Sequence, residues 1–481
     1  MEKKGSQNAR SIDVFRTSAA ELQRMLQAGT ITSAELVQIY FDQIDKHNTK
    51  GSKLQAIIST APKDQAIKRA RSLDEERKTK KDVSPFHGIP VIVKDVYNTP
   101  SLGMDTTCGS LALNDRKAKG DATIVTKMLQ QGMIIIGKAN LSTPSGSSSG
   151  SAVAVAAGFA PVSFGTETDG SLVQPGSRAA VFALKTTPGF VDASGIQPGN
   201  PDFDALGGFT KSAEDMANLW NHLFAVKADA ITLTTRELSS SSWIDLRVGF
   251  VDPELWQPAD FVTEPNEPFK EQSIQEMLAA ADKIQFLGGH VARNVSLIST
   301  PAGFDDIIGM KFKSGIEEYL SLFDGPGPRT IGELIEFNSL HADAELPLVS
   351  DQVNPRYHPS QGQFEKYATT EMAAEEYDRI FKEIRRQSLG SIENALTQHG
   401  IDIIMAPADS RLVSLASAAG CPVANVPLGF ADFNGRAHGL AVVARPHDER
   451  NLLRVMAAWE ATFPHALAPP PMMIAGSGGA I

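Results

Sequence analysis

The chain has 481 residues, a length that suits either one large α/β unit or two to three average domains. Hydrophobic residues make up 42% and charged residues 21%, so a sizeable core is within reach and disorder is expected only at the ends. A net charge of −11 and the lack of any basic block larger than Arg77-Lys78-Thr79-Lys80-Lys81 argue against nucleic acid and anionic membranes as partners. Two cysteines, Cys108 and Cys421, exclude a disulfide framework and a cysteine-based zinc site.

Residues 1–12 read as a loose tail without the apolar segment of a secretory leader. Ser18-Ala19-Ala20-Glu21 and Thr32-Ser33-Ala34-Glu35 are capping boxes that open helices; the second places Leu36, Tyr40 and Ile44 on one face, with Val37 and Phe41 beside them. A polar helix is expected around 64–77. Gly88-Ile89-Pro90-Val91-Ile92-Val93 reads as a buried strand entered through a turn. A helix over about 121–131 ends at Gly132, and a strand over 133–136 follows.

Residues 152–157 form a small-residue helix, 162–164 and 181–184 short strands, and Ser212 caps a helix running to about 224. The stretch 226–400 is mostly helical by pattern. Strands at 401–405, 422–427 and 439–444 and a helix over 449–463 complete the alternation, and 466–481 is a Pro- and Gly-rich tail. Alternating strands and helices predict an α/β fold, with helices on both faces of a sheet, in one domain spanning 13–465. The most apolar run, 152–165, is broken by Gly158 and Pro161 and is too short to cross a bilayer. Ten scattered histidines show no HExxH pattern, so neither a metal nor another cofactor is expected. These features suggest a cytoplasmic protein with a small-molecule partner; homo-oligomerisation stays open.

The unusual composition lies between Pro144 and Ser171. Ser145-Gly146-Ser147-Ser148-Ser149-Gly150-Ser151 leads directly into Ala152-Val153-Ala154-Val155-Ala156-Ala157, and Gly165-Thr166-Glu167-Thr168-Asp169-Gly170-Ser171 follows. A flexible linker would not run into a small-residue helix suited to tight packing against backbone. The N-terminus of that helix directs free amides at the serine cluster and favours negative charge there.

These two segments resemble the core motif of the amidase signature family, and Gly88 to Lys94-Asp95 resembles its lysine strand. Leu184 to Gly189, 204–215, and the segments around Cys421 and Arg445 agree more loosely. The resemblance implies a central mixed twisted sheet with helices on both faces and an amidase that cleaves carbon–nitrogen bonds through an acyl-enzyme. By position, Ser171 is the nucleophile, Ser147 the proton relay and Lys94 the base, with a cis Gly146–Ser147 peptide. The family's oxyanion hole maps to the backbone amides of Thr168, Asp169, Gly170 and Ser171, with Ser148 supporting the network. One such donor is worth about 2.7–4 kcal/mol in the transition state.

The chemistry requires a neutral Lys94, which burial away from carboxylates produces. The adjacent Asp95 opposes this unless it turns to the other side of the chain. Ser147 must also return a proton to the leaving amine, since an amine anion leaves poorly.

Two departures from the family stand out. Asp169 occupies a glycine position in the oxyanion loop, where aspartate tolerates left-handed backbone better than most residues. The chain before Ser147 is shorter than usual by roughly twenty residues of cleft loop. It opens the cleft to a bulky substrate or impairs catalysis.

Other readings compete. Gly146-Ser147-Ser148-Ser149-Gly150 also fits the G-x-S-x-G elbow of α/β-hydrolases with Ser148 as nucleophile, although no strand precedes it. An ammonia-releasing component of an amidotransferase would need a partner and glutamine. An acyl-transfer enzyme would intercept the same acyl-enzyme with an amine or alcohol. A decayed scaffold would have lost the chemistry. The residues that set acyl and amine preference are expected in 226–400.

Overall fold

Both capping boxes close as expected. Ser18 and Glu21 cap the helix Ala19–Gln27, and Thr32 and Glu35 cap Ser33–His47, which buries Leu36, Val37, Tyr40, Phe41 and Ile44. The computed structural model describes residues 12–80, 82–142, 146–225, 233, 242–259, 266–346 and 360–464; the tail beyond residue 465 and most of the leading tail lie outside it.

Eleven strands form one mixed sheet. They are β1 (Ile57–Thr60), β2 (Pro90–Lys94), β3 (Ile134–Ala139), β4 (Val162–Glu167), β5 (Phe182–Lys185), β6 (Ala205–Thr210), β7 (Arg247–Val251), β8 (His290–Val295), β9 (Ile403–Pro407), β10 (Val423–Phe430) and β11 (Ala437–Val443). Their order is β1-β3-β2-β4-β6-β5-β10-β11-β9-β7-β8. Parallel pairs β3-β2-β4 and β9-β7-β8 flank an antiparallel centre from β4 to β9. β2, β3, β9 and β11 are buried along their whole length, which is why they read as mainly apolar runs, with Lys94, Lys138 and His438 the charged or polar exceptions.

Four strands did not stand out in the sequence. β1 is a four-residue edge strand. β6, Ala205-Leu206-Gly207-Gly208-Phe209-Thr210, carries two glycines, which weaken a strand pattern. A side chain at Gly207 would place its Cβ 1.9 Å from the Leu184 carbonyl oxygen, so close backbone approach explains that residue. β7 and β8 interrupt the segment expected to be mostly helical; β7 joins the sheet beside β9 and β8 beside β7, both by parallel pairing. The middle third therefore extends the sheet besides supplying the helices Glu267–Phe286, Phe312–Leu320 and Ala374–Gln398. Among the described residues no helix is long and apolar enough to cross a membrane.

Gly207→Ala is expected to destabilise the fold by about 1–3 kcal/mol, the usual cost of overpacking. A urea-unfolding midpoint unchanged from the parent would contradict this fit of β6 against β5.

Candidate active site

The parallel neighbours β2 and β4 bring Lys94 and Thr166 side by side. Lys94 is the last residue of β2 and is 2% exposed. Its Nζ lies 2.7 Å from Ser147 Oγ and 2.9 Å from Thr166 Oγ1. Ser147 reaches this point because the chain turns at Gly146, whose φ is +86°. A Cβ there would meet Pro175 Cδ at 2.7 Å and the Gly170 carbonyl oxygen at 3.0 Å, so only glycine fits. The backbone N–H of Ser147 donates to Ser171 Oγ at 3.1 Å, and that of Ser148 to the Ser171 carbonyl at 3.2 Å. Lys94, Ser147 and Ser171, distant in sequence, thus share one site.

The helix Ser149–Ala156 is packed as its composition requires. A Cβ on Gly150 would lie 2.5 Å from the Asn140 carbonyl oxygen and 2.6 Å from that of Ala56. Ser148 is fully buried and spends its hydroxyl on the backbone of Thr166, donating to its carbonyl at 3.0 Å and accepting from its N–H at 3.2 Å. A hydroxyl so enclosed is poorly placed to attack a substrate, which disfavours the G-x-S-x-G reading.

The loop from Thr168 to Ser171 follows β4 directly. Its left-handed residue is Gly170, with φ +78°, whereas Asp169 keeps a negative φ; the backbone tolerance invoked for Asp169 is therefore not needed. Among the described residues no acceptor takes the N–H groups of Asp169, Gly170 or Ser171. The Asp169 carboxylate receives the Ser414 hydroxyl at 2.9 Å. Burial pushes its pKa up to about 6, Glu167 adds to the rise, and Ser414 and Lys185 oppose it. Glu167 turns back to accept the N–H groups of Leu172 at 2.7 Å and Val173 at 3.0 Å, which fixes the chain after Ser171. The Thr168 hydroxyl donates to Asp204, whose other oxygen accepts from the Gly199 N–H at 2.8 Å.

Burial lowers the pKa of Lys94 to about 7, with Asp204 the foremost of the charges pulling it back up. Asp204 is itself raised to about 6 by burial. Asp95 faces elsewhere. Its carboxylate pairs with Lys138 of β3 at 3.1 Å, both side chains fully buried, and accepts the N–H and hydroxyl of Thr107. Lys138 also donates to the Tyr97 carbonyl and the Thr106 and Thr99 hydroxyls. The lysine next to Asp95 is thereby spared a direct carboxylate.

A cavity of about 560 Å³ opens onto Lys94, Ser147, Thr166 and Thr168. Residues 143–145, which end the shortened loop, lie outside the described residues, although Leu141 reaches the cavity. Four contributors had no role in the sequence reading: Thr166, Asp204, Lys138 and Ser414. Lys138 carried a usable signal, because like Lys94 it is a lysine at the end of an apolar strand. Asp204 lay in a segment matched to the family without a role. Thr166 and Ser414 carried no comparable signal.

Removing Lys138 while leaving Asp95 strands a buried charge. Lys138→Met is expected to cost about 3–5 kcal/mol, and the double variant Asp95→Asn/Lys138→Met to recover part of it. Chemical denaturation of the two variants checks this, and equal stabilities would contradict it.

Known proteins resemble the chain along most of its length. The profile of the Amidase family matches residues 35–145 and 142–453. The chain is 26% identical over 500 residues to a glutamyl-tRNA(Gln) amidotransferase subunit of Lysinibacillus sphaericus, covering 93% of this chain and 96% of that one. The solved peptide amidase of Stenotrophomonas maltophilia superposes with a TM-score of 0.81 at 28% identity, covering 95% and 98% of the two chains. An amidase family protein from Bacillus anthracis gives 0.82 at 25% identity, covering 95% and 93%. The family match runs over most of the chain and the fold agrees with it; this chain belongs to the amidase signature family, whose enzymes act on carbon–nitrogen bonds.

Proposed function

We propose that the chain is a serine-dependent amidase that hydrolyses a carbon–nitrogen amide bond through an acyl-enzyme on Ser171, with Ser147 relaying protons to and from Lys94. The observation that carries this reading is a buried amine 2.7 Å from Ser147 Oγ, on a residue that forms no ion pair among the described residues. With its pKa held near 7, the amine is largely neutral in mildly alkaline solution and can accept a proton.

In the acylation step Ser171 Oγ bonds to the amide carbon as its proton passes to Ser147 Oγ and the Ser147 proton passes to Lys94 Nζ. The carbonyl oxygen gains the electron pair and takes hydrogen bonds from the free amides of Asp169, Gly170 and Ser171. The proton on Lys94 returns through Ser147 to the amide nitrogen, the carbon–nitrogen bond breaks, and the amine leaves neutral. Water then repeats the sequence on the ester. Ser148 and Thr166 act by bracing the backbone and the lysine. The Ser414 contact keeps the Asp169 carboxylate engaged at one oxygen.

Ser171→Ala and Lys94→Met are each expected to lower kcat/KM by at least about 10⁴-fold. A fluorophosphonate probe should label Ser171 in the parent protein. Full activity in Ser171→Ala, or labelling at Ser148 instead, would end this reading.

The pH dependence has a definite sign. Protonated Lys94 is inactive, so kcat/KM should fall as pH drops below about 7 and level off above it. Asp204 favours the charged lysine, so Asp204→Asn should move this limb to lower pH. A rate profile flat from pH 5 to 9 would exclude Lys94 as the base.

A further inference from the structure

The cavity at Lys94 and Ser147 has two long walls, the loop 189–201 and the helix Phe312–Leu320 with the turn after it. Val191, Ile196, Phe312 and Leu322 make these walls largely apolar. Three acids line the same space, Asp192, Asp204 and Glu318. Among the described lining residues Lys94 is the sole cation, and its amine is taken up by Ser147 and Thr166.

This charge distribution decides what can enter. A carboxylate on the substrate gives up water on entering and finds no guanidinium or free ammonium among the described lining residues to replace it. It also meets carboxylates of like charge, which discriminates against it further. An apolar group loses nothing comparable and gains contact with both walls. A volume of about 560 Å³ is in the middle of the range of small-molecule sites, roughly 300–1,000 Å³.

We propose that the site selects amides whose acyl part is uncharged and mainly apolar, and rejects amides that bear a carboxylate, free glutamine among them. The selection concerns the same site as the amidase chemistry proposed above and rests on that reading. It also sets this chain apart from an ammonia-releasing glutaminase role. Glu318 is the useful handle, because it is exposed on its helix and lies outside the reacting groups.

The test compares N-acetyl-leucine amide with N-acetyl-glutamate α-amide. Ammonia release is measured with the parent enzyme and with Glu318→Lys, and binding with Ser171→Ala by calorimetry. The parent should favour the leucine amide by about 100-fold in kcat/KM, and Ser171→Ala should bind it more tightly. Glu318→Lys should narrow that ratio by about tenfold, and more at low salt than at high salt. Equal rates and equal binding for the two amides, a preference for the glutamate amide, or binding of neither overturns the selection. If the parent releases no ammonia while Ser171→Ala still binds the leucine amide preferentially, the selection stands and the amidase reading falls.

Discussion

The site depends on a lysine amine held in the interior without a carboxylate at hydrogen-bond distance. A charged ammonium is costly to bury, so the lack of a direct counter-ion drives Lys94 toward its neutral form. What it meets instead are two hydroxyls, those of Ser147 and Thr166. Hydroxyls satisfy the amine without stabilising its charge as a carboxylate would. Ser147 is therefore both the structural partner of the lysine and its link to Ser171.

Keeping carboxylates off that amine is an organised feature of the surroundings. Asp95, the very next residue, is drawn to Lys138 on the neighbouring strand. Glu167 is drawn to the Leu172 and Val173 amides, Asp169 to Ser414 and Asp204 to Thr168 and the Gly199 amide. Each acid has a partner of its own close to Lys94 and the serine pair. Asp204 remains near enough to oppose the effect of burial on the lysine, whose pKa stands at about 7. A base of that strength is well matched to proton transfer in neutral solution.

Small residues make this proximity possible. Gly150 lets a helix sit on the backbone at Asn140 and Ala56, and Gly165 leaves space for Ser148, whose Oγ would lie 2.6 Å from a Cβ at that position. Gly146 and Gly170, each just before one of the two serines, supply left-handed turns. Residues 146–151 are consequently a packed element, in spite of a composition that suggests a linker.

Much of the site was legible from residues 88–95 and 146–171, because glycines, serines and a strand-end lysine in that order satisfy strict backbone and chemical demands. The strands β2, β3, β9 and β11 were legible for a related reason: full burial on both faces leaves a mainly hydrophobic run. β6 was not, since its glycines answer to the backbone of β5, which is adjacent only after folding. β7 and β8 were not, since β7 joins β9 by parallel pairing across more than a hundred residues and β8 pairs in turn with β7. The chain alone determined the family resemblance and the α/β alternation, and it singled out Lys94, Ser147 and Ser171, which the fold brings together. Local sequence encodes turns, caps and burial patterns, and these are short-range properties. Only the tertiary structure decided that Asp95 belongs to Lys138, that Asp169 belongs to Ser414, and that the cavity beside the lysine carries acids and apolar walls. Those outcomes depend on which side chains meet through space, and spacing along the chain does not specify such meetings.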